Sequence, residues 1–132
     1  MVVDASVWVS ALLAQDVHHL RSRQWLSRHL AVNGTVILPT LALAEVAGAI
    51  SRRASAELGR RSIDHLVHLR GLLLAPLGGP SGVEAADIAA ALRLRGGDAV
   101  YVQVAQSFQV PLVSLDEELL AKAAMLIEVL RP

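Results

Sequence analysis

Short, unbroken runs of Val, Leu and Ile alternate along this chain with longer segments of helical period. The runs fall at residues 1–4, 35–38, 72–75, 110–115 and 126–130 and read as strands. The segments between them read as helices at 5–14, 17–31, 40–53, from Ser55 or Ser62 to about Arg70, 83–95, 98–109 and 117–124. A strand that is apolar at every position must be covered on both faces. Strands of that kind separated by helices predict a parallel sheet between helical layers, an α/β chain. Local signals agree: Asn33-Gly34 is a turn, Pro39 closes the second strand, and Asp16 is placed to cap a helix. Pro76 to Gly82 reads as a loop, and Gly96-Gly97 as a helix end. At 132 residues one domain over 1–132 is expected, large enough to bury a core.

Composition excludes several classes. Hydrophobic residues make up 54 % of the chain, but no apolar stretch approaches the ~20 residues needed to cross a bilayer. Met1 leads straight into a strand without a basic leader, and there is no cysteine. A cytoplasmic protein without a signal peptide, disulfides or thiolate zinc sites is expected.

Four carboxylates stand in apolar surroundings: Asp4 after Val2-Val3, Glu45 within Leu41-Ala42-Leu43-Ala44-Glu45-Val46-Ala47, Asp98 after Gly96-Gly97, and Asp116 after Leu112-Val113-Ser114-Leu115. A carboxylate placed there loses hydration and needs a partner or a task. No matching set of cations accompanies them. Carboxylates gathered without cations repel, and a divalent metal ion offsets the repulsion. Asp4 and Asp116 fall at strand ends, where open parallel sheets build their sites. Asp98 opens a helix, whose dipole favours an anion. Taken singly, Asp4, Asp98 and Asp116 also read as ordinary helix caps. Glu45 is harder to dismiss, because its neighbours at helical spacing are apolar or small. Ser6 and Ser114 each stand two residues from an acid and could orient a carboxylate or a metal-bound water, or equally make ordinary serine–backbone contacts.

Net charge is zero but unevenly spread. Residues 18–70 carry eight Arg against Glu45, Glu57 and Asp64, leaving +5; residues 71–132 are net −3 and residues 1–17 net −2. A basic flank beside an acidic pocket suits a polyanion, and Arg52, Arg53, Arg60 and Arg61 are candidate contacts to its phosphates or other anionic groups.

In order and context, these stretches resemble the motifs of the PIN domain family and within it the VapC-type toxins. The matching residues are Val2-Val3-Asp4-Ala5-Ser6, Ala44-Glu45-Val46, Gly97-Asp98-Ala99-Val100-Tyr101-Val102-Gln103-Val104-Ala105 and Leu112-Val113-Ser114-Leu115-Asp116. Ser114 stands where Thr is frequent in the family. The resemblance implies a three-layer α/β/α sandwich with a five-stranded parallel sheet. It also implies a ribonuclease dependent on Mg²⁺ or Mn²⁺, with Asp4, Glu45, Asp98 and Asp116 as catalytic and metal-holding acids. A small antitoxin and a second copy of the chain are the implied partners. Such domains also process RNA outside toxin–antitoxin pairs, and a binding module could keep the fold without the activity.

Other features carry less. His65 and His68 share a helix face but lack a third ligand at diagnostic spacing. Gly78-Gly79-Pro80-Ser81-Gly82 lacks the Gly-Lys-Ser/Thr ending of a phosphate loop. Receiver and phosphatase domains that place Asp after a first strand need a second Asp, where Ser6 stands, and Lys122 is the only lysine.

Overall fold

The structure, a computed structural model, describes residues 1–32 and 34–132, so the turn read at Asn33-Gly34 lies partly outside the described residues. The elements run β1 (Val2–Val3), α1 (Ala5–Leu12), α2 (His19–Ala31), β2 (Val36–Pro39), α3 (Thr40–Arg53), α4 (Ala56–Val67), β3 (Leu72–Ala75), α5 (Gly79–Leu92), α6 (Gly96–Phe108), β4 (Leu112–Val113), α7 (Glu117–Ala123) and β5 (Val129–Leu130). The five strands form one all-parallel sheet in the order β3-β2-β1-β4-β5. With its helices it makes the three-layer α/β/α sandwich expected from sequence. In the helical layers α1 packs on α2 and α3, α3 on α4, and α5 on α6.

The central strands are short and wholly enclosed. Val2, Val3, Val36, Leu38, Leu112 and Val113 are fully buried. Each such side chain stabilises the fold by roughly 1.5–3 kcal/mol through water removed from its surface. The order also fixes where a site can form. The chain steps from β1 to β2 to β3 on one side, then crosses back to lay β4 against the other side of β1. The crevice between the carboxyl ends of β1 and β4 is therefore a topological switch point, where open parallel sheets accept ligands.

Four local expectations need correction. Asp16 does not cap α2, which begins at His19 after His18. Asp16 instead accepts hydrogen bonds from Ser10 Oγ, the His18 backbone and Arg53. Helix α5 begins at Gly79 rather than 83 because Ser81 Oγ both accepts from the Gly78 N–H and donates to its carbonyl. Pro80 at the start of that helix needs no N–H donor there. The same helix ends at Leu92, with Arg93 in the left-handed region at φ 53, before the Gly96-Gly97 pair is reached. Those glycines open α6, so Asp98 lies in its first turn rather than at its cap.

Candidate active site

Asp4 follows β1 and is 7 % exposed. It makes no cap hydrogen bond to α1, so the cap reading fails for it. Its Oδ2 instead accepts from Ser6 Oγ at 2.5 Å and from Ser114 Oγ at 2.7 Å. The same hydroxyls receive backbone donors: Leu115 N–H to Ser6 Oγ and Asp116 N–H to Ser114 Oγ. With Asp4 N–H bonded to the Val113 carbonyl, the ends of β1 and β4 are tied into one corner, and Asp4 Oδ1 is left for other work. Both serines thus hydrogen-bond the Asp4 carboxylate.

Asp116, beyond β4, is divided between two roles. Its Oδ1 accepts from the Leu119 N–H and caps α7, in keeping with its reading as a helix cap. Its Oδ2 faces the Arg95 guanidinium at 4.0 Å. Asp98 reaches the same guanidinium, with Oδ2 at 3.6 Å.

Glu45 projects from the second turn of α3 and is half-buried. Its Oε2 accepts from the Tyr101 hydroxyl at 2.5 Å. Its Oε1 lies against Gly97, where an added Cβ would stand only 2.8 Å from it. A glycine at this position lets the carboxylate press against the start of α6.

The acids sense one another. Burial raises the Glu45 carboxyl above its ordinary value; the Tyr101 hydrogen bond opposes this, and the charges of Asp4 and Asp98 add to it. Asp98 is likewise raised, first by burial; Arg95 opposes, while Asp116, Asp4 and Glu118 add. Glu45 and Asp98 thus both feel the charge of Asp4, a pattern met in functional pockets.

Three contributors escaped the sequence reading. Tyr101, 1 % exposed, joins Glu45 to the start of α1, because its hydroxyl also accepts from the Ala5 N–H at 3.2 Å. Its position three residues after Asp98, on the same helical face, was the available signal. Gly97 was read only as a helix stop. Arg95 supplies a cation where none was expected, although its spacing of three from Asp98 could have shown it.

Removing the tyrosine hydroxyl tests this link. Tyr101→Phe strands the buried Ala5 N–H and takes from Glu45 its one side-chain donor. The expected cost is about 1–3 kcal/mol, the usual penalty for an unsatisfied buried group. Equilibrium urea unfolding measures it; an unchanged midpoint would mean the hydroxyl bridges nothing of consequence.

Beside these acids opens a cleft of about 690 Å³, lined by Ser6, Glu45, Leu115, His18, Arg52 and Arg53 among others. Asp4, Asp98 and Asp116 do not line it. Its charged lining sets Asp16 and Glu45 against Arg52 and Arg53. Arg53 is engaged by Asp16 at 2.7 Å. Arg60 and Arg61 are exposed on α4, outside this lining. Among the described residues no three His, Asp or Glu side chains are grouped tightly enough to hold a metal ion as they stand. The donor set nonetheless has the chemistry of a hard-cation site: all oxygen, all anionic, and repulsive without a counter-charge.

Comparison with known proteins agrees with this architecture. The sequence pattern of the PIN domain matches residues 1–125. Mycobacterium tuberculosis VapC20, described as a sarcin-ricin loop cleaving toxin, superimposes with a TM-score of 0.79 at 17 % identity, covering 99 % of this chain and 98 % of that one. Rickettsia felis VapBC2, solved bound to a DNA fragment from its promoter, gives 0.70 at 14 % identity, covering 99 % and 97 %. FitAcB from Neisseria gonorrhoeae gives 0.70 at 16 % identity, covering 97 % and 94 %. At such identities the likeness is one of fold. No curated protein matches the chain in sequence.

Proposed function

Because the chain belongs to the PIN domain family, we propose that it is a nuclease, specifically a Mg²⁺- or Mn²⁺-dependent endoribonuclease whose one domain spans 1–132. We read it as the toxin of a toxin–antitoxin pair. The reading is supported by Asp4 and Asp116 standing just beyond the carboxyl ends of β1 and β4, and by Asp98, whose Oδ2 faces the same Arg95 guanidinium as Asp116 Oδ2.

Asp4, Asp98 and Asp116 are the proposed ligands, with Glu45 as a further ligand or as the proton acceptor. A divalent ion bound there would activate the attacking water and offset charge on the phosphate. The chain's own groups do the rest. Ser6 and Ser114 fix the Asp4 carboxylate, so little reorganisation is needed at the moment of reaction. Tyr101 holds the Glu45 carboxylate toward the pocket.

Arg52, exposed in the lining of the cleft, would grip a neighbouring phosphate. Arg53 reaches the same wall through its pair with Asp16, and Arg60 and Arg61 would extend the basic path along α4. Arg52→Ala is expected to weaken RNA binding and lower the slope of log K against log salt by about 1. Binding measured at several salt concentrations checks this, with Arg60→Ala/Arg61→Ala reporting how far the path runs. An unchanged slope in Arg52→Ala would return that residue to the solvated surface.

The toxin assignment draws support from VapC20, called a toxin, and from VapBC2, held with promoter DNA. A groove of about 430 Å³ between α1, α2 and α4, lined by Trp8, Leu12, Leu26, Leu30 and Leu69, suits an apolar segment of a small antitoxin. Val17 and Leu20 are exposed on the same early part of the chain. A second copy of the chain is the other proposed partner. As to location, no helix among the described residues is long and apolar enough to cross a membrane.

A further inference from the structure

We propose that Arg95 is a built-in competitor for the divalent cation: it holds Asp98 and Asp116 when the ion is absent and must give way for the ion to bind. The inference rests on the metal-site reading above and concerns how tightly that site takes its ion.

One guanidinium spans two acids brought together from different elements. Arg95 Nε lies 3.6 Å from Asp98 Oδ2, and its Nη2 lies 4.0 Å from Asp116 Oδ2. The oxygen of Asp116 that it faces is the one not engaged in capping α7. Arg95 thus stands against one oxygen of each of two proposed ligands. Nearby cations are committed elsewhere: Lys122 to Glu118 and the Arg93 carbonyl, Arg131 to Glu117. Among the described residues, Arg95 is the cation that reaches the proposed ligands.

Its hold is weak by construction. The side chain is 76 % exposed, and both contacts are long for hydrogen bonds. Contacts of that kind are worth little individually and are screened by salt. A divalent ion carries twice the charge and is compact, so it wins the exchange. Each binding event must still displace the arginine, which lowers apparent metal affinity. The arrangement keeps the acids partly neutralised while the ion is away.

The test is calorimetric titration of Mn²⁺, without RNA, into the wild-type chain, Arg95→Ala and Arg95→Lys. If exposed contacts to two carboxylates are lost, Arg95→Ala should bind Mn²⁺ about three- to tenfold more tightly. Arg95→Lys should fall between, since an ammonium does not span two carboxylates as a guanidinium does. The gap between wild type and Arg95→Ala should narrow in high salt, because screening loosens an exposed arginine. Equal or weaker Mn²⁺ binding by Arg95→Ala overturns the inference while leaving the metal site intact. Failure of every variant to bind Mn²⁺ overturns the metal reading and the inference with it.

Discussion

Asp98→Asn and Glu45→Gln are each expected to slow RNA cleavage by about 10²–10⁴-fold, the range for loss of a positioned acid or base, without lowering the melting temperature of the metal-free protein. Both substitutions keep shape and remove a charge the apo pocket tolerates poorly. Asp98→Asn forfeits the contact with Arg95, but that pair is exposed and long, so its loss weighs less than relief from burial and from the neighbouring charges. Glu45→Gln retains a carbonyl that can accept from Tyr101. Melting in EDTA alongside a cleavage assay separates the roles. A sharp fall in melting temperature would make these residues structural.

The same carboxyls set a pH dependence. Each titrates above its ordinary value in the folded chain, so the unfolded chain releases those protons more readily. Their ionisation lowers apo stability at neutral pH. Stability from these groups therefore rises as pH falls through the raised folded values and levels off below the ordinary carboxylate range. Asp16 works oppositely. Burial pushes it up, but the His18 backbone, Arg53 and Ser10 more than compensate and hold it low. Its contribution is present above the ordinary carboxylate value and is lost as pH falls through its lowered one. The two substituted proteins should lack part of the first slope and keep the second.

Much of this was legible in the residues. Apolar runs such as Leu72-Leu73-Leu74-Ala75 gave the strands, because a run apolar on both sides has few other places to go. Asp4 and Asp116 were found at strand ends because the period changes there. Glu45 stood out as a charge on an otherwise apolar and small face. What failed was local and competitive. Asp16 looked like a helix cap, but Ser10 and Arg53, distant or on another element, compete for its oxygens. Gly96-Gly97 looked like a stop, yet the break comes earlier at Arg93, and Gly97 serves close approach to Glu45 instead. Arg95 and Tyr101 were hidden for a related reason. Their partners Asp116 and Glu45 lie on other elements, and only the crossing from β3 to β4 brings them together.

Metal dependence carries the largest consequence. If the proposed acids hold a catalytic divalent ion, chelation should abolish turnover rather than reduce it. Mg²⁺ or Mn²⁺ should restore it. Ca²⁺, with longer and looser bonds, should restore it poorly. The direct measurement is cleavage of total cellular RNA by the purified chain in excess EDTA, then with each ion added back, with cut sites mapped. The expected result is no cleavage in EDTA and discrete new ends with Mn²⁺ or Mg²⁺, absent for Asp98→Asn. Undiminished cleavage in excess EDTA would contradict the account at its centre.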